Sequence, residues 1–191
     1  MDTRGELWKN YIHHLTDDGK KSLQEALYNN KRREHYELTP GAIGCFLSHV
    51  KTWYILMNSG QYMCLILEDD SSPTAEFNEQ LTKILKKLPS DTDIFLFNHV
   101  INGGQKEVDD DIMKLDPPIA FYYLNCYLIT RQGVQKIMND LDANNHKFYK
   151  QIDSYLSDLI NNHVLQVYFL KKNDICPQVF VSPTTIQTIF I

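Results

Sequence analysis

Tyr62-Met63-Cys64-Leu65-Ile66-Leu67-Glu68-Asp69-Asp70 is the stretch on which the fold turns. Six residues without a charge run straight into three acids. A continuous apolar run of this length predicts a strand buried on both faces, as in α/β sheets. The acids then fall where the strand leaves the sheet, and in open α/β sheets ligands bind beyond the carboxyl ends of strands. Two unit charges ~4 Å apart repel by roughly 4 kcal/mol at an effective dielectric of 20. A divalent cation relieves that repulsion directly, and hard oxygen ligands suit Mg²⁺ or Mn²⁺. On spacing alone a second reading stays open, an acidic turn that simply ends the strand. An aspartyl-phosphate phosphatase would need Asp at the first of the three positions, where Glu68 stands.

Immediately upstream lies the best-written helix. Thr39 is a capping residue, Pro40 suits the first turn, and Asn58-Ser59-Gly60 supplies the stop. Ile43, Phe46, Leu47, Val50, Trp53, Tyr54 and Met57 form its apolar face. Gly41, Gly44, Cys45, Ser48 and Thr52 form a face of small residues. Two glycines cost about 1 kcal/mol each relative to alanine in a helix. Either tight packing on a strand or close approach of a ligand would repay that cost.

Outward from this core the pattern alternates. Helices are predicted over 5–15, 17–28, 77–88, 131–141 and 149–161, and strands over 93–97, 120–129, 164–170 and 178–181. Residues 101–118 are polar, carry Gly103-Gly104 and Asp109-Asp110-Asp111, and read as a loop with solvated aspartates. One α/β domain over 1–191 follows.

With 43% apolar residues the 191-residue chain can bury a sizeable core. Its net charge of −5 speaks against a nucleic-acid partner, which needs clustered Lys and Arg; the one basic run, Lys31-Arg32-Arg33, is short. No apolar stretch approaches the ~20 residues of a membrane span, and the first residues have no apolar signal-peptide core. Cys45, Cys64, Cys126 and Cys176 form no Cys-x-x-Cys pair and read as buried reduced thiols. A cytoplasmic location is the expectation.

The stretch Leu38-Thr39-Pro40-Gly41-Ala42-Ile43-Gly44-Cys45-Phe46-Leu47-Ser48-His49, then Trp53, then Leu65 to Asp70, closely resembles glycosyltransferase family 25. That family includes bacterial lipooligosaccharide galactosyltransferases and collagen hydroxylysine galactosyltransferases. Its signature joins a Gly-Cys-x-x-Ser-His helix to a Glu-Asp-Asp strand end. Tyr127 to Val134, Ile152-Asp153, Pro183 to Gln187, and Arg4 with Trp8 are similar to further, less specific family segments.

The resemblance implies a GT-A-type fold, a single mixed or parallel sheet flanked by helices. It implies transfer of a hexose, galactose or glucose, from a UDP-sugar to a glycan or hydroxylysine-type hydroxyl, with inversion. Glu68, Asp69 and Asp70 would hold Mn²⁺ or Mg²⁺, and Asp153 would be the general base, with a helix-start cap as its other reading. Arg4, Gly44, Ser48, His49 and Tyr127 would line the donor site, Tyr127 either against the sugar or in the core, and Gln187 the acceptor site. The family's usual first strand precedes the position of Arg4, and three residues leave no room for it. The expectation is therefore an N-terminally shortened domain whose bare sheet edge invites a homodimer. The alternative is a degenerate transferase acting as a binding module.

Overall fold

The computed structural model of the chain describes residues 6–29, 34, 36–172 and 174–179. A 3-10 helix, Leu7–His14, leads into α1, Asp17–Asn29. The long helix α2 spans Pro40–Ser59. The Thr39 side chain accepts the Ala42 N–H at its start, and Gly60 closes it with a left-handed φ of 75°. Then follow β1 (Met63–Leu67), α3 (Phe77–Lys87), β2 (Ile94–Leu96), β3 (Val100–Glu107) and β4 (Ile112–Tyr122). The remaining elements are β5 (Cys126–Thr130), α4 (Arg131–Ala143), α5 (Ile152–Asn161) and β6 (Val167–Leu170).

The strands form one mixed sheet in the order β1-β5-β2-β6-β4-β3. Only β2 and β6 run parallel to each other as neighbours; the other pairings are antiparallel. Alternating side chains on the central strands divide the core in two. Ile94, Leu96, Tyr127, Ile129, Val167 and Phe169 join the cluster under α1, α2, α4 and α5. Phe95, Phe97, Cys126, Leu128, Tyr168 and Leu170 face the other way, toward Phe77 and Ile84 of α3. This is the period-two alternation of a sheet covered on both faces.

The register carries the carboxyl ends of β1, β2 and β6 and the start of β5 to one edge of the sheet. Leu67 pairs with Cys126, so the acids beyond β1 face the residues that open β5. The α4 start is fixed at the opposite end of β5, where Thr130 pairs with Met63 and caps the helix by accepting the Gly133 N–H at 3.1 Å. Gly133 itself sits so close to the Asp93 carbonyl that a Cβ would lie 2.6 Å from that oxygen.

Four expectations change. Residues 101–118 are not a loop but most of the β3–β4 hairpin. Backbone pairing holds it, and two of its aspartates are engaged: Asp109 Oδ1 accepts the Asp111 and Ile112 N–H groups, and Asp109 and Asp111 pair with Lys87, while Asp110 is exposed. The run 120–129 is not one strand. It is the end of β4 and most of β5, separated by a turn at Tyr123 with φ 73°. β1 is the terminal strand among the described residues and is not buried on both faces, Leu67 being 45% exposed. Tyr54, read as apolar-face, is likewise exposed. Gln178 makes an isolated antiparallel bridge to Ser71, Val179 is not in a strand, and positions 180 and 181 of the expected strand lie outside the described residues. No described helix is long and apolar enough to cross a membrane.

Candidate active site

α2 crosses the end of β1, and Cys45 and His49, one helical turn apart, share the face turned to Glu68. His49 Nε2 lies 2.8 Å from Glu68 Oε1, and Cys45 Sγ donates to the same oxygen at 3.6 Å. Behind His49, its Nδ1 is 2.7 Å from the Tyr127 hydroxyl. That hydroxyl also accepts the Trp53 indole N–H at 3.0 Å.

Donor bookkeeping fixes the protons. Trp53 can only donate, and Tyr127 has one proton to give. Tyr127 is fully buried, and His49 Nδ1 is its remaining partner among the described residues. The Tyr127 proton therefore goes to Nδ1, which leaves the imidazole proton on Nε2, aimed at Glu68. The relay runs Trp53 to Tyr127 to His49 to Glu68, with every member satisfied. The atoms of Cys45, His49 and Glu68 lie within 4.8 Å of one another, a spacing that a metal can bridge. A metal on Nε2 would move the proton to Nδ1 and strand that of Tyr127, so the arrangement is better built to orient Glu68.

Burial alone would push the Glu68 carboxyl up. The hydrogen bonds from His49 and Cys45 outweigh it and hold the group below its ordinary value. Asp70 goes the other way: burial raises it, and the negative charges of Glu68 and Asp69 add to that. Gln178 donates to Asp70 Oδ2, whereas Oδ1 is shut off from solvent and finds no hydrogen-bond partner among the described residues. Asp69 is exposed. The Cys45 thiol is pushed well up by burial and then by the charges of Glu68, Asp153 and Asp70.

The turn that bears the acids is held from beneath. The Asn125 carbonyl accepts the Glu68 N–H at 2.8 Å and the Ser71 hydroxyl at 2.7 Å. Beyond the turn, Ser72 N–H donates to the Pro177 carbonyl and Thr74 N–H to that of Ile175, both at 2.9 Å.

His49 and Cys45 thus meet at Glu68, with Asp70 two residues on, and Asp153 stands at the start of α5. Asp153 Oδ2 accepts the Tyr123 N–H at 3.2 Å. Ser48 turns its hydroxyl onto the Gly44 carbonyl at 2.8 Å, and Thr52 donates to the Ser48 carbonyl at 3.0 Å, so both bond back to the helix. Tyr127 reaches the site only through His49. Arg4 and Gln187 lie outside the described residues. The sequence reading placed Cys45 on the small face of α2 and Trp53 after it without foreseeing their contacts, and it missed Asn125 and Gln178 as parts of the site. The Cys45–His49 spacing of four and the single polar interruption at Asn125 were the available signals.

The fold and site define an α/β protein with a carboxylate cluster, two of its acids held by neighbouring side chains, at the carboxyl end of a strand. A family profile described as "Glycosyltransferase family 25 (LPS biosynthesis protein)" matches residues 12–117, and the chain belongs to that family. It is similar to "Procollagen galactosyltransferase 1" of Danio rerio, 26% identical over 137 residues, covering 69% of this chain and 22% of the relative. "Probable inactive glycosyltransferase 25 family member 3" of Bos taurus is 25% identical over 136 residues, covering 69% and 22%. "Procollagen galactosyltransferase 2" of Homo sapiens is 25% identical over 137 residues, covering 69% and 21%. The chain thus spans roughly a fifth of the length of these relatives.

Proposed function

We propose that this chain carries the donor and metal side of a GT-A-type hexosyltransferase. In this reading Glu68 and Asp70, with Asp69 orienting or ligating, hold Mn²⁺ or Mg²⁺ against the diphosphate of a UDP-hexose, galactose or glucose. The observation that carries it is Asp70 Oδ1: a buried carboxylate oxygen without a partner, beside two further acids, is costly unless a cation or donor meets it. All the donors are hard oxygens, which fits such an ion. When bound, it would supply positive charge to the departing diphosphate.

The chain's own residues do the rest. His49 and Cys45 keep Glu68 ionised and fix its orientation. Gln178 holds Asp70 by the oxygen that the cation leaves over. Asp153 takes the proton of the acceptor hydroxyl as that oxygen bonds to the anomeric carbon and the bond to UDP breaks, a single displacement with inversion. The small face of α2 at Gly44 and Ser48 lets the donor approach closely. A second reading, binding without turnover, is favoured by the similarity to a relative named as probably inactive.

The test is UDP release from UDP-galactose and UDP-glucose, with and without Mn²⁺, for the wild type and for Glu68→Ala and Asp70→Ala. Metal-dependent turnover lost in both variants is the expected result. Mn²⁺-dependent UDP binding without turnover selects the second reading, and no binding in the presence of Mn²⁺ sinks both.

A further inference from the structure

We propose that Asn125 is a positioning residue that sets the geometry of the acid-bearing turn. The inference rests on the metal-binding reading of Glu68 and Asp70, and the observations are independent of it. Asn125 is 1% exposed and engages its backbone carbonyl and both ends of its side-chain amide on this turn and its supports. Its backbone carbonyl takes the Glu68 N–H and the Ser71 hydroxyl, the residues on either side of Asp69 and Asp70. Its side-chain N–H₂ donates to Ser71 Oγ and to the Cys176 carbonyl, both at 3.3 Å. Its side-chain oxygen accepts the Asn98 amide at 2.9 Å.

These bonds join three pieces of chain, two of which also meet directly through the Ser72–Pro177 and Thr74–Ile175 backbone bonds. Glu68 and Asp70 leave β1. Asn98 follows β2. Cys176 lies in the segment that delivers Gln178 to Asp70 and whose Val179 N–H donates to the Asp70 carbonyl at 2.8 Å. One residue thus ties both carboxylates to a common frame, Glu68 through its own N–H and Asp70 through the segment that grips it. A buried amide with both ends engaged has one orientation, so the frame is rigid. No aliphatic residue of similar size supplies a donor and an acceptor together.

The test uses Asn125→Ala and, as a milder change that keeps the core, Ser71→Ala. Two readouts are taken: Mn²⁺ affinity from the electron paramagnetic resonance signal of free Mn²⁺, and hydrogen exchange of the Glu68 amide. Loss of an outer partner of a metal ligand weakens binding by about 10- to 100-fold. That range is expected for Asn125→Ala, with a smaller loss for Ser71→Ala. Exchange at Glu68 should accelerate in both while Ile94, in the sheet centre, stays protected as in the wild type. A merely structural residue would change Ile94 and Glu68 alike and leave the affinity of the folded fraction unchanged. Affinity within about twofold of wild type in both variants, or unchanged Glu68 exchange, overturns the proposal. A wild type that binds no Mn²⁺ would sink the metal reading instead, and Glu68 exchange alone would then decide whether Asn125 holds the turn.

Discussion

Tyr127→Phe removes one oxygen and tests the relay behind Glu68. The ring still fills its place, so packing changes little. What is lost is the partner of two buried groups: the Trp53 indole N–H at 3.0 Å and His49 Nδ1 at 2.7 Å. Trp53 is 0% exposed and His49 4%, so water cannot replace the hydroxyl without opening the core. Leaving a buried donor or acceptor unsatisfied costs about 1–3 kcal/mol. The two groups share one partner and are not additive, so about 2–5 kcal/mol is expected in total. With a urea dependence of about 2 kcal/mol per M, the unfolding midpoint should fall by about 1–2.5 M. The second readout is the ¹⁵N shifts of His49. In the wild type Nε2 should be the protonated nitrogen and Nδ1 the acceptor; in the variant that preference should weaken. A midpoint change worth less than about 0.5 kcal/mol, or a wild-type His49 with its proton on Nδ1, would refute the reasoning.

Two other outcomes follow from the same geometry. Glu68 is held below its ordinary value of 4.5, so its stabilising contribution is present above that value and is lost as pH falls through its lower folded value. Asp70 is raised above 3.8, so its ionisation works against the metal-free fold, and the penalty grows as pH rises from 3.8 through its folded value. Urea midpoints between about pH 3 and about pH 7 without metal should therefore show Glu68→Gln losing stability and Asp70→Asn gaining it near neutrality, with both differences shrinking toward acid. Gly133→Ala places a Cβ 2.6 Å from the Asp93 carbonyl oxygen, where backbone rather than a flexible side chain must yield. Overpacking of about 1–3 kcal/mol should outweigh the helix preference for alanine, and calorimetry should show a lower Tm.

Much of this was legible because it is local. The α2 boundaries follow from Thr39, Pro40 and Gly60, which act through their own backbone and nearest turns. The strand ending at Leu67 follows from six residues without a charge. The hairpin of β3 and β4 was not legible, for a physical reason. Its buried residues are few and split between the two faces, Ile112 on the α3 side and Leu115, Ile119 and Phe121 on the other, and the register shifts between Gly103 and Gly104. A Cβ at Gly104 would lie 2.1 Å from the Asp116 carbonyl oxygen, so the glycines mark close strand approach, not a loose loop. Polar composition disguised a segment whose order comes from backbone pairing.

The sequence by itself determined the acids at the end of a strand, the small-faced helix beside them and the family likeness, since each is written in contiguous residues. Tertiary structure alone decided what those acids do to one another. His49 was legible as a neighbour of Ser48 on a helix; that it orients Glu68 depends on Tyr127, 78 positions away. Gln178 and Asn125 reach the turn from distant parts of the chain. The opposite displacements of Glu68 and Asp70, two residues apart, follow from that unequal company, because a carboxylate's charge is set by the donors and charges that the fold brings to it and not by its sequence neighbours alone.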